Sequence, residues 1–283
     1  MEIIVGKYAG FCAGVTNAVV KTEEALKENS KIYCLGELIH NNQVMQKLQE
    51  HGLIVIDDLK EIKEKKKIIV RAHGIPKQVY KQADENGLEL IDLTCPKVLN
   101  IHRKVEEYVN NGYYIFLVGE KKHPEIVGTY SFCSECGSII EKMEYIDESI
   151  EIFKNSKYKK VVVISQTTFS SEKFDKIADE IRKKIPQNIE VIIDKTICNA
   201  TDLRQKETSK ISKEVDLMII IGGKNSSNTK KLYEISKENC KNVLLIETKE
   251  ELDMEYIKKF NKVGIMAGAS TPKWIIEEVS KCI

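Results

Sequence analysis

Three cysteines stand where an apolar run hands over to a helix-like stretch. Cys12 follows Glu2-Ile3-Ile4-Val5 and residues 6–11, and precedes Ala13-Gly14-Val15. Cys95 closes Asp92-Leu93-Thr94-Cys95, after the run Leu88-Glu89-Leu90-Ile91, and Pro96 follows at a first helical position. Cys198 comes after Val191-Ile192-Ile193-Asp194 and residues 195–197, and precedes Asn199-Ala200-Thr201. A cysteine at a helix N-terminus meets free N–H groups and the helix dipole, which favour thiolate over thiol. Three thiolates can hold three irons of one 4Fe–4S cluster and leave a fourth iron open to a substrate oxygen as a Lewis acid. Any one of the three alone reads as a buried filler, but three at matching corners favour ligands. A zinc held by three cysteines and water is the other metal reading, and it leaves the polar loops between the cysteines unexplained.

Those loops recur at fixed distances. His40, His123 and Ser226 each lie 28 residues after Cys12, Cys95 and Cys198 respectively. A second loop is less regular: His73 lies 61 after Cys12, Thr168 lies 73 after Cys95, and Ser270 lies 72 after Cys198. Gly222-Gly223-Lys224-Asn225-Ser226-Ser227-Asn228-Thr229 opens a helix, so amides and hydroxyls can face an anion; ordinary N-capping explains either loop by itself. It does not explain His40, His73 and His123 at equivalent strand ends, three of five histidines in the chain. Glu125, in His123-Pro124-Glu125, reads either as a surface glutamate or as a carboxyl whose pKa an apolar cavity raises, a proton donor. Thr167, in Gln166-Thr167-Thr168, can relay that proton or hold a substrate hydroxyl. The single Cys133-Ser134-Glu135-Cys136 lacks a second pair and reads as incidental; Cys34, Cys240 and Cys282 read as fillers or surface residues.

The elements that position these residues repeat three times. Helices are expected over 13–27, 43–51, 75–86, 98–110, 172–184, 203–213, a stretch ending near 238, and 272–280. Strands are expected over 32–35, 68–70, 88–91, 114–118, 161–164, 191–194, 217–221 and 263–266. The strand that completes the last repeat is N-terminal, residues 2–5. The fold class is therefore α/β: three similar α/β units in a pseudo-threefold (trefoil) arrangement around a central iron–sulfur cluster, with boundaries 13–95, 96–193, and 194–283 completed by 1–12. In such sheets ligands sit outside the carboxyl ends of strands.

The 283 residues suffice for two or three small domains. Lys plus Arg is 44 against 43 Asp plus Glu, a net charge of +1 that argues against nucleic-acid or membrane-surface binding by bulk charge. No apolar run reaches membrane-span length, and residues 1–5 lack a signal-peptide start. The expected compartment is the cytoplasm, where eight cysteines serve as ligands, thiols or fillers rather than disulfides. Lys63-Glu64-Lys65-Lys66-Lys67 reads as a solvated helix end.

Taken together, Gly10-Phe11-Cys12-Ala13-Gly14-Val15, Arg71-Ala72-His73-Gly74, Asp92-Leu93-Thr94-Cys95-Pro96, His123-Pro124-Glu125, Gln166-Thr167-Thr168, Ile197-Cys198-Asn199-Ala200-Thr201, Asn225-Ser226-Ser227-Asn228 and Gly268-Ala269-Ser270-Thr271-Pro272 resemble the 4-hydroxy-3-methylbut-2-enyl diphosphate reductases, in order and over the whole chain. The resemblance implies the last step of non-mevalonate isoprenoid biosynthesis: two-electron reductive loss of an allylic hydroxyl, giving isopentenyl and dimethylallyl diphosphate. It implies that Cys12, Cys95 and Cys198 bind one 4Fe–4S cluster with an open iron, and that His40, His73, His123, Ser226, Ser227, Asn228 and Ser270 hold the diphosphate. Glu125 is then the proton donor, Thr167 lies beside the substrate hydroxyl, and reduced ferredoxin or flavodoxin supplies electrons. Lys122 and the run after Gly128-Thr129-Tyr130 depart from the family's usual pattern around the middle loop. Two other readings compete: a three-cysteine cluster dehydratase of quinolinate-synthase type, which needs no reductant, and a non-enzymatic iron–sulfur sensor or carrier, against which the polar loops count.

Overall fold

Leu217-Met218-Ile219-Ile220-Ile221 has no polar residue to turn toward water, so as a strand it has to be covered on both faces. It is: Leu217, Ile219 and Ile221 enter one apolar cluster while Met218 and Ile220 enter another. The same logic applies to Tyr114-Ile115-Phe116-Leu117-Val118, buried at every position. The computed structural model describes residues 1–62 and 66–283.

The chain opens with β1 (Glu2–Val5) and α1 (Ala13–Glu28). A first run follows: β2 (Ile32–Leu35), α2 (Asn42–Glu50), β3 (Leu53–Ile56), β4 (Lys67–Val70), α3 (Lys77–Glu85), β5 (Glu89–Asp92) and then α4 (Pro96–Asn110). The second is β6 (Tyr114–Val118), α5 (Pro124–Tyr130), β7 (Gly137–Ile140), α6 (Ile146–Lys154), β8 (Lys160–Ser165), α7 (Ser171–Lys184), β9 (Glu190–Asp194) and α8 (Asn199–Ser212). The third is β10 (Leu217–Ile221), α9 (Ser227–Asn239), β11 (Val243–Ile246), α10 (Met254–Ile257), β12 (Lys262–Ala267) and α11 (Lys273–Cys282).

The strands form three four-stranded sheets, ordered β3-β2-β4-β5, β7-β6-β8-β9 and β11-β10-β12-β1. Every registered pair is parallel. The order is the same in all three, and β1 completes the third by pairing with β12, Glu2 opposite Lys262 through Val5 opposite Ile265.

Several elements differ from their sequence-based bounds. Each sheet has one further edge strand, β3, β7 or β11, beyond those expected; β3 and β11 are apolar runs of only four residues, Leu53–Ile56 and Val243–Ile246, while β7, Gly137–Ile140, lacks such a run. The helix expected from Ile75 starts at Lys77, because Pro76 is its cap, with φ −60 and ψ 149 outside the helical region. Conversely α4 starts at Pro96 and α8 at Asn199, directly after their cysteines. The His-Pro-Glu stretch opens the short helix α5 rather than a loop, since Pro124 has its φ preset for a first helical position. Of the 63–67 charge run, residues 63–65 lie outside the described residues, and Lys67 opens β4 rather than ending a helix.

By internal contacts the chain divides into two compact units. The first takes Met1–Ser30, Glu37–Leu53 and Asn199–Ile283, and holds the third sheet with α1, α2 and α8–α11. The second takes Lys31–Gly36 and Ile54–Cys198, and holds the other two sheets with α3–α7.

Candidate active site

The strand ends dictate where each candidate residue sits. β4, β8 and β12 are interior strands, and each runs out into a short loop: Arg71-Ala72-His73, Gln166-Thr167-Thr168, Gly268-Ala269-Ser270. The adjacent edge strand turns back over that loop and reaches its cysteine. The backbone N–H of Cys95 donates to Ala72 O (3.0 Å), that of Cys198 to Thr167 O (3.0 Å), and that of Cys12 to Ala269 O (3.2 Å). The same bond is thus made three times, once at each corner, within the unit that holds it. All three cysteines are half-buried and in no disulfide. At the N-cap positions of α1 and α4, the sulfurs of Cys12 and Cys95 make no capping bond, so they are not spent on the helix. This donor set, three cysteine sulfurs outside any disulfide at matching corners, has the chemistry of iron–sulfur cluster ligands. The remaining thiols differ. Cys34, Cys133, Cys136 and Cys240 are buried; burial pushes the Cys133 thiol up to about 12 and the Cys34 thiol to about 12. Neither is a thiolate near neutral pH.

In the second unit the cap of α5 is His123, whose Nδ1 accepts from Glu125 N–H (3.2 Å). An accepting Nδ1 carries no proton, so in this tautomer Nε2–H is a donor. The ring of His73, from the loop after β4, stands edge-on to that of His123 with centroids 5.4 Å apart. Glu125 is 2 % exposed. Its Oε1 accepts from Thr167 N–H (2.6 Å), and its Oε2 is 2.5 Å from Thr167 Oγ1. Burial raises the Glu125 carboxyl to about 7, against the lowering effect of both Thr167 bonds. A carboxyl poised there can give up a proton at neutral pH and take one back.

The first unit carries the serines, Asn228 and His40. Ser226 caps α9 by accepting from Thr229 N–H, which uses an oxygen lone pair and leaves its O–H a donor. His40 stands one residue before the cap of α2, which is Asn41. The 28-residue spacing therefore places two caps, His123 and Ser226, and one residue short of a cap. Ser270 Oγ donates to His40 O (2.9 Å), so in this arrangement its proton is turned inward. Both side-chain polar atoms of Asn228 are buried with no hydrogen-bond partner among the described residues, as are Thr229 Oγ1, Asn41 Nδ2 and Gln43 Oε1. Buried polar atoms are seldom left so, and a group of them beside two helix N-termini suits a multiply charged anion. The cradle is closed by glycines: a Cβ on Gly268 would lie 2.1 Å from Thr229 Oγ1, and Gly222 has φ +148. Thr229 enters the sequence analysis only as the end of the 222–229 loop, and Asn41 and Gln43 are new; the cap pattern at Asn41 is legible, but nothing in the order of residues marks orphaned atoms.

Arg204 and Glu207, also absent from the sequence reading, brace the Cys12 loop. Arg204 is buried on α8 and donates to Tyr8 O (2.8 Å), Gly10 O (2.8 Å) and Ala200 O (3.1 Å). Glu207 accepts from Lys7 N–H (2.9 Å) and Tyr8 N–H (2.8 Å). Arg204→Ala leaves two loop carbonyls without these donors. It is expected to cost about 2–4 kcal/mol, read by urea unfolding, with Glu207→Gln costing about 1 kcal/mol.

Comparison with known proteins follows the same lines. The LytB protein family matches residues 3–283. The curated 4-hydroxy-3-methylbut-2-enyl diphosphate reductase of Clostridioides difficile (strain 630) is 43% identical over 280 residues, covering 99% of this chain and 98% of its own. The solved E-1-hydroxy-2-methyl-but-2-enyl-4-diphosphate reductase of Plasmodium falciparum superposes with TM-score 0.91 at 33% identity, over 99% of this chain and 87% of that one. A second solved structure, (E)-4-hydroxy-3-methyl-but-2-enyl diphosphate reductase, described as the terminal enzyme of the non-mevalonate pathway, gives TM-score 0.71 at 43% identity, over 99% and 98%.

Proposed function

The chain belongs to the LytB protein family of 4-hydroxy-3-methylbut-2-enyl diphosphate reductases, and from that premise we propose that Glu125 and Thr167 deliver the proton of its reaction while Cys12, Cys95 and Cys198 hold its cluster. The reaction is the reductive dehydroxylation of 4-hydroxy-3-methylbut-2-enyl diphosphate in non-mevalonate isoprenoid biosynthesis. Two electrons and two protons enter, the allylic C–O bond breaks, and water and either isopentenyl or dimethylallyl diphosphate leave. The protein is an iron–sulfur enzyme.

The finer assignment is ours. One 4Fe–4S cluster with three cysteine ligands and an open iron supplies, when bound, single electrons and a Lewis-acidic site. His40, His73, His123, Ser226, Ser227, Asn228 and Ser270 hold the diphosphate. His123 does so through Nε2–H, the donor left by its cap bond. Asn228 offers its amide, and Ser270 turns its hydroxyl from His40 O to the anion. Protonated Glu125 hands its proton to Thr167 Oγ, whose own proton passes to the departing hydroxyl. The same carboxyl, re-protonated, serves the carbon end. The observation that carries this reading is Glu125, buried beneath Thr167 with a pKa near neutrality.

We also propose the three-repeat division 13–95, 96–193 and 194–283 with 1–12, supported by the identical strand orders. A reduced ferredoxin or flavodoxin is the proposed donor and the cytoplasm the proposed compartment. Among the described residues no helix is long and apolar enough to cross a membrane.

The test is anaerobic. Protein reconstituted with iron and sulfide is expected to oxidise reduced viologen only when the diphosphate substrate is added. An intact cluster without substrate-dependent oxidation would overturn the assignment. The rate should also track protonation of Glu125. With its carboxyl raised to about 7, the proton is present below that pH and lost above it. kcat is expected to fall roughly tenfold for each pH step above the limb, and Glu125→Gln should flatten the limb.

A further inference from the structure

The three cysteine corners share one backbone pattern but not one environment. At the Cys95 corner, Leu93 and Thr94 are buried, and the apolar residues of β5 are half-buried. At the Cys198 corner the apolar residues of β9 are half-buried too. Only at the Cys12 corner do large apolar side chains stand in solvent: Ile3 (36 % exposed), Val5 (44 %) and Tyr8 (37 %). A groove of about 780 Å³ opens at the end of this strand, at Val5, and runs to Phe11, the residue before Cys12. Its apolar wall is Val5, Phe11 and Ile276, and its charged lining is Lys7, Lys273 and Lys281 against Glu277 alone. On a chain whose net charge is +1, this is a local excess of two positive charges around an apolar floor. From beneath, Arg204 and Glu207 hold the loop in place, so the surface is preformed.

The reaction requires two electrons from outside the substrate. Among the fifteen glycines none falls in a Gly-x-Gly-x-x-Gly spacing, so the sequence carries no dinucleotide fingerprint. We propose that the groove at the Cys12 corner is the docking surface for the electron donor, an acidic one-electron carrier protein. The lysines steer its acidic face, and the apolar floor seats it one residue from an iron ligand. This inference rests on the proposed role of Cys12.

The experiment uses the cluster-loaded enzyme and two reductants, reduced methyl viologen and a reduced acidic clostridial-type ferredoxin. The variant is Lys7→Glu, Lys273→Glu and Lys281→Glu together. The control carries the same charge change at Lys142, Lys157 and Lys159, exposed residues of the other unit. The groove variant is expected to raise the KM for ferredoxin at least about tenfold and to flatten its dependence on salt, with the viologen-driven rate unchanged; the control should leave both alone. A ferredoxin KM unmoved by the groove variant, or moved equally by the control, overturns the docking site. So does a dimer, seen by sedimentation, that the groove variant dissociates without changing the ferredoxin KM, since the occupant is then a second copy. Wild-type enzyme that fails with viologen as well defeats the functional reading itself, separately from the surface.

Discussion

Glu125→Gln is expected to lower kcat by about 10²–10⁴-fold with the cluster's visible absorption intact and KM changed little. Gln keeps the shape of the buried carboxyl. Its carbonyl can still accept from Thr167 N–H, and its NH₂ can donate to Thr167 Oγ, so the Glu125–Thr167 contact survives. What disappears is the transferable proton. Stability supplies an independent check. The folded carboxyl holds its proton up to about pH 7, whereas the unfolded one loses it near 4.5. The folded state therefore binds more protons between those values, and the stability that Glu125 contributes declines as pH rises from 4.5 through 7. Relative to wild type the Gln variant should gain on the order of 3 kcal/mol above pH 8, measured by urea unfolding at pH 5 and pH 8. Turnover retained within threefold would remove Glu125 from the proton path.

Cys95→Ser is expected to abolish activity by more than 10³-fold while leaving the apo-protein at least as stable. The helix gains from the change: Cys95 occupies the N-cap of α4 without a capping bond, and serine in that place is among the better caps, worth about 1 kcal/mol. The backbone bond to Ala72 O needs no side chain. Loss of turnover with an unfolding curve unmoved or shifted to higher urea, and with iron and sulfide content falling, would assign the sulfur to the cluster. Cys133→Ser should do the reverse. Its sulfur is buried in the apolar cluster of the second repeat, so a hydroxyl there costs about 1–3 kcal/mol and leaves iron content unchanged. A Cys95→Ser protein with normal iron content would show that the sulfur is not a ligand.

The interior strands were legible because they have no alternative: Leu217–Ile221 and Tyr114–Val118 carry uninterrupted apolar runs. The cysteine corners were legible for a related reason, since a strand, a short turn and a helix start leave local marks. Of the edge strands, β1, β5 and β9 show in the same way, and β3 and β11 carry short apolar runs, Leu53–Ile56 and Val243–Ile246; β7 leaves no mark. β7 is Gly137-Ser138-Ile139-Ile140, four residues directly after the Cys-x-x-Cys, and it is half-buried over most of its length. An edge strand needs one covered face and one hydrogen-bonded side, which asks little of its sequence. The site divides in the same way. Cap residues such as His123 and Ser226 show in the order of amino acids, because capping is local. Arg204 reaching Gly10 across 194 positions does not, and neither does the burial that turns Glu125 from a glutamate like any other into an acid near neutrality.

The pairing of β1 with β12 has a consequence for how the protein is made. Glu2 meets Lys262, 260 positions later. A ribosome adding about 5–20 residues per second leaves the first strand without its neighbour for roughly 13–50 s, while Cys12 waits on the loop it will hang from, Ala269. Throughout that interval Ile3, Ile4 and Val5 are an unpaired apolar strand on a nascent chain, and the sulfur beside them is open to oxidants and stray metal. With Cys12 in its proposed role as a ligand, cluster loading follows the end of synthesis. A chain released before Lys262 would lose the seat of its first cysteine along with its last strand.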